Sequence, residues 1–193
     1  QTQTICSGLS FGITPIQGSG NIVPANTKYT WSNPLSNPLG AINGGSAQAV
    51  SVTSIGQLLN NTTNTSATIN YSVIPISSNN CSGPAFSVVV TVNPKPYIIT
   101  QAETICSENT FIVSPINGGG SIVPTNTTYT WPSPVSNPLG AVSGGLSQTS
   151  QASNISQLLT NTTNAAATLT YQITPKSGAA GSCDGAPFQL AVS

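Results

Sequence analysis

Charge is almost missing from this chain. Of its 193 residues only three are basic (Lys28, Lys95 and Lys176) and three acidic (Glu103, Glu108 and Asp184), with no Arg, His or Met. Charged residues make up 3%, against roughly 25% in a typical soluble protein. Three scattered lysines cannot make the cationic field that nucleic acid or anionic lipid demands, so neither is an expected partner. Without His, a hydrolase lacks its usual base. The three carboxylates all fall in the second half, and their aligned positions in the first half are Gln3, Gly8 and Ser82. Neither a paired-carboxylate site nor a calcium cage therefore recurs. No catalytic residue, cofactor or metal site is expected. No segment approaches the ~20 apolar residues of a membrane helix; the run FSVVVTV, 86–92, has strand length. Membrane insertion of this chain is not expected. A start at Gln1, with neither Met nor a leader, reads as a piece of a longer, processed protein.

Ser, Thr and Asn fill the gap, at more than a third of the chain, while 37% of residues are hydrophobic. That apolar share can bury a core, which argues against disorder. It is also arranged twice. TKYTWSNPLSNPLGAINGG at 27–45 returns as TTYTWPSPVSNPLGAVSGG at 127–145, and a shift of 100 positions gives identity at roughly half the sites through Pro75. TICS, IVP, QLL and NTTN all recur at that spacing, and CSGPAF is answered by CDGAPF after a two-residue insertion. The seam is Pro94-Lys95-Pro96, a stiff extended connector after the closing run AFSVVVTVN. Two domains are expected, 1–95 and 96–193.

Each copy consists of short Thr- and Val-rich runs parted by Gly, Pro and Asn. In the first they are 11–15, 27–32, 48–55, 57–59, 67–75 and 85–92, with one more strand before the first Cys. Alternation is clearest in ATINYSV, 67–73, with one apolar and one polar face. Six or seven such runs predict an all-β chain of two tandem antiparallel β-sandwiches of immunoglobulin type. Trp31 and Trp131 each lie in an alternating run, where a third-strand Trp packs at the sandwich centre, rather than offering a stacking face for sugars. Tyr71 and Tyr171 follow the NTT turn, at the place of a tyrosine corner with an anchoring hydroxyl. Asn61-Thr62-Thr63, Asn126-Thr127-Thr128 and Asn161-Thr162-Thr163 fit the N-glycosylation pattern but read better as turns.

Two cysteines fall in each copy, with neither a CxxC spacing nor the His of a zinc site. A structural disulfide within each copy is expected, Cys6 with Cys81 and Cys106 with Cys183, in an oxidising extracellular setting. Simple immunoglobulin winding stands against it, because it puts these cysteines at opposite ends of the sandwich, and bonded cysteines need Cα atoms within about 7 Å. Either the first strand is displaced, or the thiols are unpaired or pair differently.

Taken in order, TICSG, IVP.NT.YTW, I.QLL.NTTN, the strand ending in Tyr and Pro, C.G.PF and VTVNPKP resemble the PKD-like tandem repeats of very large surface proteins in Bacteroidota, gliding-motility adhesins among them. The resemblance spans both copies. It implies secreted β-sandwich units, exported by the type IX system and strung as stalks that carry adhesion, with neighbouring repeats of the same chain as partners. Ordinary PKD domains follow the strand Trp with an acidic, Gly-rich segment; here Trp31 is followed by Ser-Asn-Pro and Trp131 by Pro-Ser-Pro, so no role of those acids carries over. The leading expectation is a non-catalytic, rigid spacer at the cell surface. A module binding surface polysaccharide or substratum, and a self-associating fibre subunit, are the alternatives.

Overall fold

The computed structural model describes residues 1–18, 20–178 and 181–193. The chain divides into two compact units, Gln1–Pro94 and Lys95–Ser193. Each is an immunoglobulin-like β-sandwich, and no helix occurs among the described residues. None is therefore long and apolar enough to cross a membrane.

In unit 1 the strands are β1 (Thr2–Cys6), β2 (Leu9–Ser10), β3 (Lys28–Trp31), β4 (Leu35–Asn37), β5 (Ile42–Asn43), β6 (Gln48–Val52), β7 (Leu58–Asn61), β8 (Ala67–Ile76) and β9 (Phe86–Asn93). One sheet runs β1-β9-β8-β3-β6 with β4 also on β8; the other is β2-β7-β5. Period-two alternation drives the layering. Ala67, Ile69, Tyr71 and Val73 of β8 and Val88, Val90 and Val92 of β9 point inward and are buried, while Asn70 and Ser72 face out. They close on Phe11, Ile55 and Leu59 from the facing side.

Unit 2 repeats the plan with β10 (Gln101–Glu103), β11 (Asn109–Val113), β12 (Thr128–Trp131), β13 (Val135–Asn137), β14 (Val142–Ser143), β15 (Gln148–Ala152), β16 (Ile155–Asn161), β17 (Thr168–Lys176) and β18 (Phe188–Val192). Its sheets are β10-β18-β17-β12-β15, with β13 on β17, and β11-β16-β14. The run predicted at 11–15 is a single bridge, Ile13 to Ile55, in unit 1, although its counterpart forms the full strand β11. Gly12 and Gly56 explain the difference. Their counterparts Ile112 and Ser156 stand opposite each other across the β11–β16 ladder, and two glycines there supply no side chains to pack.

The structure corrects two expectations. The sandwich is not wholly antiparallel, because β1 runs parallel to β9 and β10 parallel to β18. The cysteines also do not pair within a copy: Cys6 and Cys183 are disulfide-bonded, whereas Cys81 and Cys106 are free, exposed thiols. The parallel pairing gives the reason. Cys6 stands opposite Asn93 at the far end of β9, while Cys81 precedes the near end, Phe86. Eight residues of strand separate those ends by about 23 Å at ~3.3 Å per residue, beyond the reach of one bond. In unit 2 the Ile105 amide, next to Cys106, donates to the Ser193 carbonyl past the end of β18, and Cys183 again precedes that strand.

Candidate functional site

What the two copies share most closely is an interior polar knot. Trp31 lies in β3 with its ring edge-on to Tyr71, centroids 6.1 Å apart. Its indole N–H donates to the Ser46 carbonyl at 2.9 Å. The Gln57 amide nitrogen donates to that same carbonyl at 3.0 Å, and the Gln57 carbonyl accepts from the Ser46 amide at 3.0 Å and from the Tyr71 hydroxyl at 3.0 Å. Unit 2 repeats each bond. Trp131 donates to the Leu146 carbonyl at 3.0 Å, Gln157 clasps the Leu146 backbone at 3.0 and 2.7 Å, and Tyr171 donates to Gln157 at 2.8 Å. Position 46 tolerates Ser or Leu because only its backbone takes part. Every buried polar atom of the knot is satisfied, as a low-dielectric interior requires. Gln57 and Gln157 were missed by sequence reasoning, although QLL recurs, with a Tyr fourteen residues on.

Trp31 and Trp131 are each only 4% exposed, and Tyr71 and Tyr171 are fully buried. The hydroxyls of Tyr71 and Tyr171 anchor on a glutamine side chain rather than on backbone. Asn61 is buried too. Its side-chain nitrogen donates to the Thr65 and Val92 carbonyls and its oxygen accepts from Thr63, so the first NTT motif is an Asx-type turn pinned to β9. Asn126 sits in a turn with positive φ. Asn161 repeats the Asn61 bonds to its own turn.

Burial pushes the Tyr129 hydroxyl up to about 12 and raises those of Tyr29, Tyr71 and Tyr171 as well. Unfolded, a phenol ionises near 10. Because the folded values lie above the unfolded one, this stabilisation is complete below pH 10 and is lost as pH climbs from 10 to about 12. Urea unfolding midpoints are expected to hold up to pH 10 and then fall, with phenolate absorbance at 295 nm appearing together with the loss of strand signal. Full ionisation of all tyrosines near pH 10 with the fold intact would contradict this burial.

Chemistry-bearing side chains stay apart. Among the described residues no three His, Cys, Asp or Glu converge. Asp184 pairs with Lys176 at 3.4 Å on the surface, a contact worth little in water. Glu103 lies in β10 and Glu108 in the turn before β11, with positive φ. The largest concavity is a groove of about 900 Å³ in unit 1, between Ile22, Val23, Tyr29, Pro75 and Phe86.

Comparison with protein families matches the PKD-like domain to residues 3–96 and again to residues 103–193. No curated protein matches the chain.

Proposed function

Since the chain belongs to the PKD-like domain family in both of its units, we propose that it serves as a rigid spacer in a secreted cell-surface adhesin or filament. Tandem PKD-like domains are structural or adhesive repeats of a non-catalytic kind, and disulfide-bonded cysteines fit an oxidising, extracellular compartment. The finer reading adds export by the type IX system to the surface of a gliding member of the Bacteroidota, with neighbouring repeats as the immediate partners. One observation carries it. The interior Trp–Gln–Tyr knot is kept bond for bond in both copies, whereas no charged or metal-binding cluster is kept on the outside. Selection has held the packing, which is what a spacer needs. The buried indoles offer no platform for stacking a polysaccharide, so the binding-module alternative finds no support at the tryptophans.

Small-angle scattering of chains with two, four and six copies tests the reading. The maximum dimension is expected to rise linearly with copy number; a particle that stays compact as copies are added would overturn it.

A further inference from the structure

The groove of unit 1 has a filled counterpart. In unit 2 the segment 96–100, PYIIT, lies extended in the same position. The Tyr97 amide donates to the Ile122 carbonyl at 2.9 Å and the Ile122 amide donates back to the Tyr97 carbonyl at 2.7 Å. The Ile99 amide donates to the Ser121 hydroxyl oxygen at 3.2 Å. Between these bonds Ile98 turns inward, 5% exposed, into the cluster that holds Tyr129 and Phe188. Pro96 lies over Gly185, where a Cβ would come within 2.5 Å of the Pro96 carbonyl oxygen.

Unit 1 has the same receiving surface without the strand. Gln101 aligns with Gln1, so residues 96–100 have no counterpart within Gln1–Pro94. The floor is preserved. Tyr29 meets Phe86 edge-on with centroids 6.3 Å apart, as Tyr129 meets Phe188 at 6.4 Å. Gly83 stands where Gly185 stands, and a Cβ on it would meet only Pro75. Ile22, the counterpart of Ile122, is 88% exposed, and Phe86 is only partly buried.

We propose that this groove is a binding site for an extended, uncharged peptide of the Pro-aromatic-Ile-Ile kind, docking by strand addition onto the backbone of Ile22. The main-chain bonds to Ile22 supply register and affinity, and the pocket over Tyr29 and Phe86 selects an aliphatic side chain at the third position. A proline ahead of the aromatic residue keeps the ligand extended and fits against a glycine that leaves room for it. The near absence of charge around the groove disfavours a charged side chain at the anchor position, since its desolvation would go uncompensated. The natural donor of such a segment is the connector of another repeat of this type.

The test uses the whole chain, ¹⁵N-labelled, titrated with the capped hexapeptide KPYIIT, residues 95–100. Saturable shifts are expected at Ile22, Val23 and Phe86, with their unit 2 counterparts unmoved. Replacing the first isoleucine of the peptide by Asp should abolish them. Ile22→Pro in the protein, which removes one amide donor from an exposed residue, should weaken binding about tenfold, the scale of one lost hydrogen bond. The proposal is overturned by a flat titration up to millimolar peptide, by equal binding of the Asp peptide, or by shifts centred elsewhere on unit 1. Scattering dimensions do not enter this readout, so the spacer reading and the groove can fail separately.

Discussion

Replacing Trp31 by Ala is expected to destabilise unit 1 by about 3–5 kcal/mol, the range for emptying a buried large aromatic site. Trp31 is buried against Tyr71, within a core that includes Val73, Val88 and Val90, and interiors this tightly packed relax only partly around a void. The indole also donates to the Ser46 carbonyl, a bond of about 1 kcal/mol net. That carbonyl keeps its second donor, Gln57, so the void rather than the lost bond dominates the cost. A domain of this size holds roughly 5–15 kcal/mol in all, and the variant would sit near its threshold. Urea unfolding followed by circular dichroism should show an early transition that the fluorescence of the remaining indole, Trp131, does not follow. Trp31→Phe, which keeps most of the apolar volume, should lose far less. A loss below about 1 kcal/mol for Trp31→Ala would mean that the ring is not part of the packed centre.

The second large effect comes from a residue with no side chain. Gly44 has φ +96°, and a Cβ built on it would lie 2.1 Å from the Leu58 carbonyl oxygen. That neighbour is backbone in β7, which pairs with β5 through Ile42–Asn61 and Asn43–Asn60, so it cannot move aside without opening the ladder. Gly44→Ala therefore combines backbone strain with overpacking, each about 1–3 kcal/mol. Gly40→Ala separates the two contributions. Its φ is +77°, yet nothing lies within 4 Å of the added carbon, so only the conformational cost of about 1–2 kcal/mol remains. Thermal melts should place Gly44→Ala well below Gly40→Ala, and Gly144→Ala should match the former, with its Cβ 2.2 Å from the Leu158 carbonyl oxygen. Equal melting temperatures for Gly40→Ala and Gly44→Ala would contradict the close approach at β7.

Much of this architecture is readable along the chain because it is local. Alternation in ATINYSV marks Ala67, Ile69, Tyr71 and Val73 as one buried row, and the structure buries those four. The tryptophans read as interior for the same reason. Gln57 does not, because a glutamine is ordinarily a surface residue. Its burial is tolerable only once the Ser46 backbone and the Tyr71 hydroxyl arrive to bond it, and those groups lie 11 and 14 residues away. The short strands β4 and β5 went unread as well. Leu35–Asn37 and Ile42–Asn43 flank the turn of the cis Asn37-Pro38 bond and gain strand form from β8 and β7 rather than from their own pattern.

Repetition and periodicity were enough to establish a duplicated all-β chain with its aromatics inside, since burial of alternate residues follows from the pleat alone. Which cysteine can meet which was decided by the folded chain, because it depends on β1 choosing the parallel edge of β9, more than eighty residues away. The same holds for residues 96–100. Their prolines and isoleucines read as a connector, and only the edge at Ile122, with the pocket beside it, turns them into a strand of unit 2. Partners distant in sequence leave no local pattern, so their pairing becomes visible only where the sheets bring them together.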